Sequence, residues 1–208
     1  HLALDVSYTI HFENEGRLAF GMKLGGHLLN IDYTKLNHYN PSDVSFKNNI
    51  TNQFSPNIGA GLFYYNENSY LGLSVPMLLQ TKTYDEFSYS DANRRQHFYL
   101  MGGKVFDLAY NLKFKPAFVA KMVTGSPLQV DLTANFLISD KFMAGLAYRW
   151  SAAVSALVGF KVNDRLSIGY GYDRETTRLA NFNSGSHELF LQFDLFKINQ
   201  QIETPRFF

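Results

Sequence analysis

The 208-residue chain contains no cysteine, which excludes a disulfide framework and thiol chemistry. It also lacks any run of about eighteen consecutive apolar residues, and its mean hydropathy is slightly negative, so a helical membrane protein is excluded. The formal net charge is only +1, without the basic stripe expected of a general nucleic-acid binder. We therefore expect no nucleic-acid partner.

Motifs for catalysis and ligand binding are missing as well. Ser186, His187 and Glu188 are consecutive, so on a strand His187 faces away from both neighbours and cannot form a triad with them. Gly102–Lys104 lacks the spacer, the following Ser or Thr and the helix of a phosphate loop. No metal-ligand spacing connects the six histidines, which are His1, His11, His27, His38, His97 and His187. We predict that the protein is not an enzyme and has no catalytic, cofactor-binding or metal-binding residues.

The chain does have an alternation of apolar and polar residues over most of its length, which Leu137 breaks in the clearest run. One face collects Leu128, Val130, Leu132, Ala134, Phe136 and Ile138, and the other collects Gln129, Asp131, Thr133 and Asn135. Similar runs begin at Phe142, Val154, Leu166 and Leu189. A period of two gathers these sets, whereas the helical period of 3.6 would scatter them. The pattern predicts an all-β protein.

Alternation alone fits both a soluble sandwich and a membrane barrel. The runs are about ten residues long, however, as expected for tilted membrane-spanning strands. Their polar faces are rich in Gly, Ser, Ala and Asn, which suits a lumen, and the 16% aromatic content suits interfacial girdles. Candidate girdle residues at strand ends are Phe12, Tyr64, Tyr65, Tyr70, Phe136, Phe142, Trp150 and Tyr172. We predict a transmembrane antiparallel up-and-down β-barrel.

The connections between strands alternate in length. The long ones are Thr34–Ser55, Gln80–Asn93 and Arg174–Gly185. Each follows an even-numbered predicted strand, so all three lie at the same end of the strands. Outer-membrane barrels have short periplasmic turns and longer outer loops, so Asn14, Asn66, Ala109, Asp140 and Asp164 are expected in the periplasm. The count is about eleven strands, and barrels of single bacterial chains have an even number. If the amino terminus of the full protein is periplasmic, we expect an odd number of further strands before Leu2, and about fourteen strands in the full protein.

Two regions are predicted: residues 1–196 form the C-terminal majority of the barrel, and residues 197–208 form a periplasmic tail that contains Pro205. Pro116 lacks an amide donor, so one ladder bond should be absent at its strand. Charged residues predicted to face the lumen are Asp5, His11, Lys23, His27, Lys113, Lys115, Lys121, Asp131, Arg149, Lys161, Glu188 and Asp194. They would pair across the lumen or line a channel, which leaves a passive outer-membrane pore or hydrophobic-substrate transporter as an alternative function.

Several strings of the chain resemble segments of the PorP/SprF family of Bacteroidota outer-membrane proteins. They are Ser55–Tyr65, Tyr70–Pro76, Pro127–Phe136, Gly169–Asp173, Asn183–Glu188 and Pro205–Phe208. The resemblance implies that the amino-terminal portion of the family, with further strands, precedes this sequence.

The resemblance implies a non-catalytic outer-membrane component of the type IX secretion system, which is coupled to gliding motility. It also implies that the protein binds and helps to export or anchor a surface adhesin through the adhesin's C-terminal domain. Partners implied in addition are outer-membrane lipid and type IX secretion components in the periplasm or outer membrane.

Overall fold

The computed structural model describes residues 2–13, 15–35, 49–79 and 95–195. Their regular elements are twelve strands and two short 3₁₀ helices. The strands are β1 Leu2–His11, β2 Arg17–Ile31, β3 Ile50–Tyr65, β4 Ser69–Val75, β5 His97–Lys104, β6 Phe106–Ala109, β7 Leu112–Val123, β8 Gln129–Ile138, β9 Phe142–Arg149, β10 Ala153–Lys161, β11 Leu166–Glu175 and β12 Ser186–Phe193. The 3₁₀ helices are Tyr33–Lys35 and Arg178–Asn181.

The strands form one antiparallel sheet in which neighbours in sequence are neighbours in space. The order runs from β1 to β5 and from β7 to β12, and β6 continues the line of β5 along β7. The predicted all-β, antiparallel, up-and-down architecture is confirmed. No helix in the described part of the chain is long and apolar enough to cross a membrane.

Two of the predicted long connections differ from the strand ends. Strand β3 begins at Ile50 rather than after Ser55, and the connection predicted at Gln80–Asn93 is longer, because β4 ends at Val75 and β5 begins at His97. The residues added to β3 include Asn52, which has a left-handed φ of 53° and interrupts the alternation. Much of the first two long connections, Asn14 and the tail 197–208 lie outside the described residues. The boundary between barrel and tail, and the strands expected before Leu2, therefore stay predictions.

The missing ladder bond predicted at Pro116 is confirmed. Pairing of β5 with β7 ends at Gly103 and Ala117 and resumes at Phe106 and Phe114, so Pro116 lies opposite Lys104 inside the gap. The Val105 N–H donates 2.7 Å to the Asn68 carbonyl on the other side of the strand. Backbone N–H and C=O groups of successive residues point to opposite sides of a strand, so those of Lys104 point toward Pro116. The Lys104 carbonyl receives no hydrogen bond there, because proline has no N–H.

Cross-strand register assigns every second residue to the same side of the sheet, because directly paired residues share a face. The apolar face contains, for example, Leu24 paired with Leu4, and Tyr148 paired with both Leu132 and Val154. Its side chains are highly exposed, and the most exposed members include Leu2, Leu4, Tyr8, Phe54, Leu146, Leu189 and Leu191. Apolar surface on this scale is unstable in water and requires apolar surroundings.

The opposite side, the polar face, is lined by small and charged side chains with a few aromatic residues. Few side chains are buried on either face. The buried apolar residues of the described chain are Tyr33, Met143 and Ala153. The sheet is therefore a single layer, and its two faces must meet different environments.

The two ends of the strands differ. The short-turn rim carries the turns that follow β1, β3, β6, β8 and β10, and the long-loop rim carries the other connections. Both β1 and β12 run from the long-loop rim to the short-turn rim, and in the described sheet each has one paired neighbour, β2 and β11 respectively. The two edges thus have the same direction, so they cannot pair with each other in an antiparallel ladder.

Candidate functional site

The polar face is the candidate site because most charged side chains of the strands lie on it; Lys104 and Arg174 are on the apolar face. The predicted lumen charges of the strands lie on this face. Cross-strand pairs join Lys23 to Asp5 at 3.5 Å and Arg149 to Asp131 at 2.8 Å. Two further lysines reach carboxylates in short turns, namely Lys113 to Asp140 at 3.2 Å and Lys161 to Asp164 at 3.6 Å. Ion pairs with neighbouring strands and turns therefore account for part of the predicted lumen charge.

The polar face also differs in charge between parts of the sheet. Strands β2–β5 and β7 contain no Asp or Glu. Their polar-face cations are Arg17, Lys23, Lys113, Lys115 and Lys121. We call this part of the polar face the basic wall. The carboxylates of the polar face are Asp5 on β1, Asp107 on β6, Asp131 on β8, and Asp173, Glu175 and Glu188 on β11 and β12. Asp107 lies directly opposite Lys113.

A line of aromatic rings crosses the basic wall near the short-turn rim. Phe63 lies between Tyr65, at 5.6 Å between ring centroids, and Tyr70, at 5.8 Å. Arg17 lies over the Tyr65 ring at 5.8 Å, and Lys115 lies over the Tyr70 ring at 5.6 Å. We call these five residues the cation–aromatic array.

The array corrects the girdle prediction for two residues. Tyr65 and Tyr70 pair with each other and face the polar side, whereas Tyr64 pairs with Leu71 on the apolar face. Aromatic residues occupy both faces in the Leu62–Tyr65 segment, so alternation could not separate girdle residues from array residues there. The register of β3 with β2 and of β4 with β5 was needed to assign these rings to a face.

Two depressions adjoin the basic wall. One, of about 260 Å³, lies at the short-turn rim beside Arg17 and Tyr65, where Glu15 and Glu67 of the first two short turns also line it. The other, of about 320 Å³, lies over small residues of β1–β4, including Gly21, Gly61 and Ser74. Small residues therefore leave an open depression in the middle of the basic wall, and charged residues and aromatic rings lie between it and the short-turn rim.

At the long-loop rim, side chains clamp the base of the connection between β2 and β3. The Thr34 hydroxyl donates to Asp32 Oδ1 at 2.5 Å, and Asn49 Nδ2 donates to the same oxygen at 3.1 Å. The Tyr33 N–H donates to Asn49 Oδ1 at 2.9 Å. The hydrogen bond from Thr34, followed by weaker donors, lowers the pKa of Asp32 below its ordinary value.

The motif residues lie where the sequence predicted. His187 is on the apolar face, with its Nδ1 2.6 Å from the Tyr170 hydroxyl, while Ser186 and Glu188 are on the polar face. Gly102–Lys104 lies within β5 instead of in a loop before a helix. Across residues 2–13, 15–35, 49–79 and 95–195, no group of His, Asp and Glu could hold a metal ion.

A single-layer antiparallel sheet with one largely apolar, exposed face and one face rich in charged residues is typical of a membrane-spanning β protein. The family model for the type IX secretion system membrane protein PorP/SprF matches residues 1–193, and the chain belongs to this family. No curated protein and no solved structure matches the chain. The protein is a type IX secretion outer-membrane protein, as the resemblance implied.

Proposed function

We propose that the protein is a non-catalytic component of the type IX secretion and gliding machinery that binds and helps to export or anchor a surface adhesin through the adhesin's C-terminal domain. Its apolar face would contact outer-membrane lipid, and its short-turn rim would contact periplasmic components. The observation that carries this proposal is the family match over residues 1–193, in a family of secretion-system membrane proteins.

The structure supports a binding role by giving the two rims different surfaces. The long-loop rim carries the connections rich in Tyr, Asn, Asp and Arg, a composition suited to protein recognition. The short-turn rim carries compact turns and leads to residues 197–208, which we propose as a periplasmic tail. Deleting residues 197–208 should leave the sheet assembled but weaken association with periplasmic partners. Unchanged co-purification after the deletion would refute this role of the tail.

The deciding experiment is affinity purification of the tagged protein from native outer membranes in mild detergent, with mass spectrometry of the proteins that accompany it. We expect a large adhesin, periplasmic secretion components or both in stoichiometric yield. A protein recovered alone would contradict the proposal.

The second candidate function is a passive pore or a transporter for hydrophobic substrates, and the charged polar face is the observation that favours it. A pore would give stable ion conductance when the purified protein is inserted into planar bilayers. A transporter would retain a lipid-like molecule after purification. A component whose interior is filled by a bound protein segment should show neither, so these measurements separate the two candidates.

A further inference from the structure

We propose that Arg174, on the apolar face at the long-loop rim, binds the phosphate of an anionic lipid headgroup. This inference rests on the proposed function, in which the apolar face contacts outer-membrane lipid, and it does not depend on the exported cargo. It adds the charge of the recognised lipid and the place on the sheet where its headgroup lies.

The first step of the argument is the position of Arg174 along its strand. It is exposed, is the last residue but one of β11, and lies directly opposite the exposed apolar residue Val154 of β10. A cation that faces lipid costs about 2–4 kcal/mol at the bilayer midplane but only about 0–1 kcal/mol near the interface. At the strand end, the guanidinium can reach the headgroups while its methylene groups cover apolar surface.

The second step is the absence of a competing carboxylate. Within the described part of the chain, no ion pair includes Arg174. Its sequence neighbours Asp173 and Glu175 pair with Ser155 and Ala153, so both face the polar side of the sheet. Asp173 Oδ1 accepts a hydrogen bond of 2.9 Å from the Ser155 hydroxyl there. The carboxylates nearest in sequence are therefore on the other face from the guanidinium.

The connections next to this arginine also lack carboxylates. Residues 150–152 and 176–185 contain no Asp or Glu, and the second connection adds the cation Arg178. At the opposite rim, the turns at residues 139–141 and 162–165 carry charges of both signs. Cations beside a membrane surface attract anionic lipids, so the excess of positive charge selects an anionic headgroup at the long-loop rim.

The third step is the aromatic surroundings on the apolar face. Tyr148 of β9 lies opposite Val154, and Trp150 follows two residues nearer the long-loop rim. Tyr172 of β11 is directly paired with His187 of β12, and their ring centroids are 4.9 Å apart. Amphipathic rings of this kind concentrate at the level of the headgroups, which places the guanidinium at the same level.

His187 supplies a second donor for the phosphate. Its Nδ1 is 2.6 Å from the Tyr170 hydroxyl, and when that hydroxyl donates, the ring proton is on Nε2, which can donate to a ligand. Arg174 lies two residues beyond the partner of His187 on β11, a step of about 7 Å along the strand. A guanidinium offers two parallel N–H donors that match phosphate oxygens, so both side chains can hold one phosphate.

The test uses the fluorescence of Trp150, the single tryptophan of the chain. The purified full chain is reconstituted in phosphatidylcholine vesicles that contain a lipid brominated in the upper part of its acyl chains, because bromine quenches a nearby indole. The brominated lipid is either anionic phosphatidylglycerol or zwitterionic phosphatidylcholine. We expect brominated phosphatidylglycerol to associate about fivefold more strongly, with a preference that declines as salt rises.

Variants then test the residue itself. Arg174→Gln should remove most of the preference, and Arg174→Lys should retain more of it because the charge remains. Lys104→Gln is the matched control, since Lys104 is the other charged residue on the apolar face of the described strands and lies at the opposite rim. This control should leave the quenching of Trp150 unchanged.

Equal quenching by the two brominated lipids in the wild-type protein would overturn the proposal, and this comparison does not depend on any variant folding. So would an Arg174→Gln variant that keeps the full preference. Inorganic phosphate that abolishes the preference, when sodium chloride of equal ionic strength does not, would assign the site to a free anion instead. If neither lipid quenches Trp150, the lipid contact in the proposed function fails; equal quenching by both removes the headgroup site alone.

Discussion

Arg149 Nε donates a hydrogen bond of 2.8 Å to Asp131 Oδ1, and this ion pair joins two residues that lie directly opposite each other on β8 and β9. Both side chains are partly shielded, with 45% and 29% of their surfaces exposed. The short distance and the fixed register make this pair the best placed of the polar-face ion pairs to stabilise the sheet.

A double-mutant cycle with Arg149→Ala and Asp131→Ala should give a coupling free energy of about 1 kcal/mol. Urea unfolding of the protein in lipid vesicles, followed by tryptophan fluorescence, measures it. The pair of Lys161 and Asp164, at 3.6 Å and more exposed, is the matched control and should couple by only a few tenths of a kcal/mol. Equal coupling in both cycles would contradict the importance of the shorter distance.

The two faces of β9 provide a test of membrane orientation. Leu146 is on the apolar face and 63% exposed, whereas its neighbour Ala147 is on the polar face. Leu146→Lys should lower the free energy of unfolding in lipid vesicles by about 2–4 kcal/mol, because the charge would face lipid. Ala147→Lys adds the same charge on the other face and should cost much less. Equal losses would contradict the assignment of faces.

Gly169 and Gly171 are on the same face of β11 but have different surroundings. A Cβ at Gly169 would overlap the ring of Phe190, its partner on β12, whereas the nearest atoms to a Cβ at Gly171 are 3.8 and 3.9 Å away. Gly169→Ala should therefore destabilise the sheet by about 1–3 kcal/mol, and Gly171→Ala should be tolerated. Chemical denaturation of both variants measures the difference. Adding Phe190→Leu should recover part of the loss, and failure to recover would show that the ring is not the cause.

Pro116→Val should close the gap between β5 and β7. The new amide can donate to the Lys104 carbonyl, and hydrogen exchange at residues 104–106 should become slower. The free energy of unfolding should change little, since a net gain of about 1 kcal/mol from the bond is offset by the greater freedom of the unfolded chain. Hydrogen exchange with mass spectrometry tests this, with Ala120→Val on the same face of β7 as the control. Unchanged exchange at residues 104–106 would contradict the explanation.

The clamp at Asp32 should weaken in acid. Its pKa in the folded protein is below the ordinary value of 3.8, so its stabilising contribution is present above that pH and is lost as the pH falls through the folded pKa. The NMR shift of the Tyr33 amide proton, which is bonded to Asn49, should move over that range. Asp32→Asn removes the titrating group and should abolish the shift change. A shift change that persists in this variant would assign it to another group.

The sequence predicted the two faces from β8 to β12 because a period of two leaves one assignment for each residue once a strand is recognised. Contacts between strands could not be predicted in this way. Phe190 over Gly169 and Lys115 over Tyr70 depend on how far each strand is shifted against its neighbours. The array itself was missed because its rings come from β3 and β4, while its cations come from β2 and β7. The absence of Asp and Glu from β2–β5 and β7 was visible in the sequence, but Asp107 of β6 was placed opposite Lys113 only by the register of the strands.

The shared direction of β1 and β12 fixes the direction of any antiparallel strand that could extend the sheet at either edge. An antiparallel neighbour at either edge must enter at the short-turn rim and leave at the long-loop rim, whether it comes from the same polypeptide or another one. One strand of that orientation, or any odd series of alternating strands, converts two open edges into a continuous ring of hydrogen bonds. An even series leaves two strands of like direction side by side, so the backbone itself selects between assemblies that close and assemblies that do not.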